Sequence, residues 1–169
     1  MSLIVETGTG SATSESYISV ADADIYHAAR GNAAWAALST TEKEQALRKA
    51  TAYMLGTYRA RWSGMRFGTT QALDWPRSLV PLRDVPFSTY VADNVVPAEV
   101  STACASLAVR AAAGALLADQ TRRKSSVTVG PISTTYEAGG KVSVTYAEID
   151  AMLRPYLTTG AGQVRLVRV

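Results

Sequence analysis

From Ala98 to Leu117 the chain is broken only by Gly114, and alanine recurs on every side of the helix that this stretch predicts. Such a helix lets neighbours approach closely all round, which places it at the centre of a small bundle. Pro97 suits its first turn, where a missing N–H costs nothing. A chain of 169 residues can bury that core in a single domain. With 47% hydrophobic and 18% charged residues it has a globular composition. The stretch 100–118 is mainly alanine and carries Arg110, so it reads as a buried helix and no membrane segment is expected.

Other elements follow from local signals. Leu3 to Val5 reads as a short strand and Thr7 to Ser16 as a loop. Ser19 reads as the N-cap of a helix from Val20 to Arg30, with Gly31 and Asn32 as its stop. Ser39 with Glu42, or Thr41 with Glu44, has capping-box spacing for a helix running to about Tyr58. Leu47, Ala50 and Met54 share its inner face. Between Arg59 and Val96, Gly64, Gly68, Pro76, Pro81 and Pro86 rule out a continuous element, and long loops of this kind are commonly functional. After Ser125 the period becomes two. A hairpin is expected over about 125–146, with Tyr136 opposite Val142, Thr134 opposite Val144 and Ile132 opposite Tyr146. A short helix at about 148–157, a glycine hinge at Gly160 to Gly162 and a strand-like Val164 to Val169 complete the chain. The fold class expected is α+β: a small, mainly α-helical bundle with a β-hairpin and a C-terminal strand-like extension.

The chemistry-bearing residues point away from catalysis, and neither a cofactor nor a metal is expected. His27 is the one histidine, and its position near a helix C-terminus favours a structural charge. Cys104 is the one cysteine and reads as a small buried apolar side chain, so no internal disulfide can form and a reducing assembly site fits. The Met1 to Gly10 stretch lacks a signal-peptide pattern. Asp22 with Asp24, and Glu148 with Asp150, are spaced so that partners fall on different helix faces. Gly8 and Gly10 lack the Gly-Lys-Ser/Thr ending of a phosphate loop. The formal charge of +3 is too mild to name a partner, and Arg122, Arg123 and Lys124 read as a solvated turn.

The most suggestive group is Arg59, Arg61, Trp62, Arg66, Phe67, Trp75 and Arg77, with Tyr58 beside it. Arginines interleaved with aromatics can hold a single nucleic-acid strand by phosphate contacts and stacking. The favoured reading is that Trp62, Phe67 and Trp75 pin a long loop to the helices while the arginines face water or a protein partner.

Several blocks resemble a tailed-bacteriophage family. They are Leu3 to Gly10, Ser16 to Asp24, Tyr26 to Gly31 and Trp35, then Glu44 to Tyr53, Gln71-Ala72-Leu73-Asp74-Trp75-Pro76-Arg77, and Val96 to Val100. The family is often labelled DnaT-like single-stranded-DNA-binding protein, yet its members resemble head-tail connector, or adaptor, proteins of phage necks. The connector resemblance implies a homo-oligomeric ring, a dodecamer by that likeness, seated between portal protein and tail or head-completion proteins and continuing the DNA channel. It implies a virion location, with assembly in the host cytoplasm and no enzyme activity. Residues Gln163, Val164, Arg165, Leu166, Val167, Arg168 and Val169 are then the expected docking tail. The alternative for this tail is closure of its own domain, by pairing with the hairpin or with Leu3 to Val5. The rival function is single-strand binding in phage replication, with the Arg59 to Arg77 loop as its site.

Overall fold

A computed structural model describes residues 2–85, 88–117, 126–129, 132–135 and 145–158. Among the described residues five α-helices form the body: α1 (Val20–Ala28), α2 (Ala33–Ala36), α3 (Thr40–Tyr58), α4 (Ala98–Ala113) and α5 (Ala147–Leu153), the last running into a 3-10 turn at Arg154–Tyr156. Among the described residues the strands form three antiparallel pairs: β1 (Met65–Arg66) with β2 (Arg77–Ser78), β3 (Pro81–Leu82) with β4 (Thr89–Tyr90), and β5 (Ser126–Val129) with β6 (Ile132–Thr135). The chain is therefore a small α+β fold, as expected.

The helix starts are set locally. Ser19 Oγ accepts the Asp22 N–H at 3.0 Å. Of the two candidate capping boxes, Ser39 with Glu42 forms: the Glu42 carboxylate accepts the Ser39 N–H at 2.8 Å while Ser39 Oγ accepts the Glu42 N–H. Asn32 ends one helix and starts another, because its side chain accepts the Trp35 N–H and caps α2, a helix that the sequence reading did not include. Helix α4 stops at Ala113, short of the expected Leu117, since Gly114 adopts an extended backbone.

Packing follows from the alanines. Helix α4 lies mainly against α3, with α5 and α1 on its other sides. Its buried residues, including Val100, Ala103, Cys104, Leu107, Ala108 and Ala111, span most of its circumference. Leu47, Ala50 and Met54 of α3 face it, fully buried as their spacing predicts. Each large aliphatic side chain so enclosed contributes about 1.5–3 kcal/mol. Cys104 is buried, with Thr51 Oγ1 at 3.4 Å, as a small apolar residue would be.

Three expectations need correction. Leu3 to Val5 forms no strand, only a single parallel bridge from Val5 to Ser16. The hairpin is shifted: Val129 pairs with Ile132 and Ser126 with Thr135, so the paired strands lie on either side of the position where a break was read. Tyr146 occupies the position before α5 and packs its ring 5.4 Å from Tyr53 instead of pairing with Ile132. The other expected partners, Val142 and Val144, lie outside the described residues, as does the 159–169 segment.

His27 is the third correction. It does sit in the last turn of α1, but it is buried, with its Nε2–H donating to the Ala105 carbonyl at 3.0 Å and its ring 4.6 Å from that of Trp35. Burial, with Arg30 and Lys43 nearby, lowers its pKa despite the Ala105 bond and Asp24, so the neutral ring is the folded form. The unfolded chain then binds the proton more tightly, and stability falls as pH drops below the ordinary histidine value of 6.5. Urea midpoints measured between pH 7 and 5 should decline for the natural chain and decline less for His27→Gln.

Candidate functional site

The loop that follows α3 is built around one carboxylate. Asp74 is fully buried, and its oxygens accept from Arg59 Nε at 2.9 Å and from Trp62 Nε1 at 3.2 Å. Its N–H donates to the Tyr17 hydroxyl at 3.0 Å. Its carbonyl accepts from Arg77 Nη1 at 3.2 Å. One residue thus ties together the end of α3, the entry to α1 and the strand pair β1–β2.

Arg77 is also interior. Its Nε donates to the Ser63 carbonyl at 2.8 Å and its Nη2 to that of Gly64 at 2.9 Å, so all three guanidinium nitrogens are spent on backbone. Burial pushes its pKa below the ordinary arginine value. Trp75 is fully buried between Trp62 and Tyr156, with ring centroids 5.7 and 5.6 Å away in edge-to-face geometry. The Trp75–Pro76 peptide is cis. Gln71 fastens the turn, accepting the Gly68 N–H at 2.7 Å and donating to the carbonyls of Leu73 and Pro76 at 2.9 and 3.1 Å.

The seven loop residues singled out from the sequence therefore divide. Trp62 and Trp75 are interior, which agrees with the pinning role; Arg77 is interior too, against the expectation that the arginines face water or a partner, because its guanidinium is spent on buried backbone carbonyls. Arg59 bridges, with its side chain 55% exposed over the buried Asp74. Arg61 and Arg66 are exposed; Arg61 reaches toward Asp150 at 3.7 Å, and Arg66 donates to the Gln71 carbonyl at 3.3 Å. Phe67, expected to pin the loop, is 51% exposed instead. Met65 and Leu79 stand beside it in sequence or across the strand pair, 58% and 57% exposed. Leu79 holds a left-handed backbone at φ 59°, and Gly64, at φ 65°, lies so close to the Ser78 carbonyl that no Cβ fits.

Two structural centres escaped the sequence reading. Asp74 is one; its signal was a single acid inside a run of aromatic and basic residues. Glu6 is the other. Its buried carboxylate accepts the N–H groups of Gly8, Gly10 and Ser11 at 2.9, 3.0 and 3.0 Å and the Ser14 hydroxyl at 2.9 Å. The glycine loop thus wraps the chain's own carboxylate in the way such loops wrap an anion. Three further acids pair with neighbours: Asp24 with Lys43, Glu148 with Arg110, and Asp150 with the Tyr58 hydroxyl. Among the described residues no three metal-ligating side chains converge, and no helix is long and apolar enough to cross a membrane.

This small α+β domain with an internally braced loop matches, over residues 1–169, the family described as "Putative DnaT-like ssDNA binding protein". The chain belongs to that family. No curated protein and no solved structure matches it. The family description names single-strand binding, the rival of the two functions that the resemblance carried, and does not name a connector.

Because Asp74 is sealed from water, removing its cation should cost far more than removing an exposed arginine. In urea unfolding, Arg59→Ala is expected to lose about 3 kcal/mol, and Arg61→Ala less than about 1 kcal/mol.

Proposed function

We propose that this chain is a structural connector of a tailed-phage neck, acting without catalysis as a homo-oligomeric ring between portal and tail or head-completion proteins. The observation that carries the reading is the inward orientation of Trp62 and Trp75, which makes the loop a brace in place of a stacking platform. Beside the exposed Arg59, Arg61 and Arg66, it leaves apolar side chains outside: Met65, Phe67, Leu79 and Tyr90. Exposed apolar side chains of this kind suit contact with other proteins. The phage blocks in the sequence, from Leu3 to Val100, supply the particular setting. On this reading the chain assembles in the host cytoplasm, ends in the virion, and uses residues 163–169 as a docking tail.

Single-strand binding is the second reading, and the family description favours it. Its contacts would have to come from Arg59, Arg61 and Arg66, with Phe67 as the available ring.

Two measurements on the full chain separate the readings. A connector should co-purify with portal and tail proteins and bind oligo(dT) weakly; ending it at Gly160 should leave a folded protein that fails to join the neck. Tight oligo(dT) binding that weakens steeply with salt and is lost in Arg66→Ala or Phe67→Ala would establish the second reading and defeat the first. Failure to join the neck, together with no strand binding, would defeat both.

A further inference from the structure

His27 is held at both nitrogens of its ring, and the two contacts fix which of them carries the hydrogen. Nε2 lies 3.0 Å from the Ala105 carbonyl of α4, and a carbonyl only accepts, so Nε2 is the donor. The folded ring is neutral, which leaves Nδ1 with a bare lone pair. Asn32 Nδ2 stands 3.4 Å from Nδ1 and donates to it. The Oδ1 of the same amide accepts the Trp35 N–H at 3.3 Å and so caps α2. Asn32 therefore has one orientation that serves both neighbours, with its oxygen toward α2 and its nitrogen toward His27.

A proton on Nδ1 turns that lone pair into a second donor facing the Asn32 NH2 group. Rotating the amide by half a turn lets Oδ1 accept from Nδ1–H, but it brings the NH2 group onto the Trp35 N–H and removes the cap. No orientation then satisfies both. The charged groups around the ring do not lift the conflict. On α1, Arg30 opposes the added charge and Asp24 favours it; on α3, Lys43 opposes it while pairing with Asp24 at 2.9 Å. Helix α4 presents the Ala105 carbonyl, its Arg110 being engaged by Glu148 and its Cys104 lying against Thr51, and α2 carries no titratable group. The Trp35 ring lies 4.6 Å from that of His27, and its Nε1–H donates to Asp24 at 2.6 Å, so the new charge and the lost cap fall on the same short helix.

We propose that His27 and Asn32 form a proton-operated latch at the α1–α2 corner: protonation of Nδ1 turns the Asn32 amide, uncaps α2 and releases Trp35 from its seat while α3 and α4 stay folded. Burial holds the folded ring below the ordinary histidine value of 6.5, and the released ring returns to that value, so opening grows as pH falls through it. The latch goes beyond both readings of function and depends on neither.

Amide hydrogen exchange of the full natural chain, resolved by NMR and corrected for the intrinsic effect of pH, tests the latch between pH 7 and 5. The N–H groups of Trp35, Ala36 and Ala37 bond to Asn32 or Ala33. Their protection is expected to fall about fivefold, the size of a lost cap, while protection in α3 and α4 holds. Asn32→Asp supplies the second measurement. Its carboxylate can accept from the Trp35 N–H and from a protonated Nδ1 together, so the His27 titration midpoint should rise and the pH dependence of α2 protection should disappear. Protection at α2 that does not change with pH in the natural chain, or that falls equally in α3 and α4, overturns the proposal. So does an Asn32→Asp chain whose α2 opens on acidification as the natural one does. Should Asn32→Asp fail to fold, the exchange profile of the natural chain decides alone.

Discussion

The Asp74 carboxylate is the interaction on which the irregular half of the molecule depends. A buried charge is tolerated only when its attractions offset the loss of hydration, and here the carboxylate's partners are a guanidinium and an indole N–H. Those partners come from the end of α3 and the turn after it. The carboxylate therefore does what a hydrophobic core does poorly for a loop rich in glycine and proline: it specifies one arrangement among many of similar area. Arg77 completes the brace by binding the carbonyls that no strand ladder satisfies, at Ser63, Gly64 and Asp74.

The helical half depends on smallness. Ala103, Ala105, Ala108 and Ala111 let α4 be buried on most of its circumference, so α1, α3 and α5 can all reach it. The larger groups sit on the partners: Leu47 and Met54 on α3, Ile149 and Leu153 on α5. The two halves meet at Tyr17, which packs in the core while its hydroxyl holds the Asp74 backbone.

What was legible in the sequence was local. The Ser19 cap, the Ser39–Glu42 box, the α3 stripe and the central alanine helix are set by residues a few positions apart, and they stand where their spacing put them. The fold class and the pinning role of Trp62 and Trp75 were legible too, since large rings are costly to expose. Long-range pairings were not. The Asp74 partners Arg59, Trp62 and Tyr17 have no fixed spacing from it, and Glu6 is recognised only once the glycine loop has closed on it. His27 was misread because helix-end position suggested a favourable charge, whereas burial disfavours the charged ring. The hairpin register slipped because Gly130 and Pro131 were taken as an interruption within one strand, whereas the two strands that pair lie on either side of them.

Magnitudes decide how the braced loop can meet a partner. An aromatic side chain of this size buries about 150–250 Å². At ~25 cal/mol per Å², enclosing Trp75 contributes about 4–6 kcal/mol. Stacking a base on an aromatic ring returns about 1–3 kcal/mol. Turning Trp62 or Trp75 outward to meet a strand would therefore cost more than it gains, before counting the bonds at Asp74 that would break with it. Any partner, nucleic acid or protein, must instead read what the closed loop displays: the exposed guanidiniums of Arg59, Arg61 and Arg66, and the apolar side chains of Met65, Phe67 and Leu79.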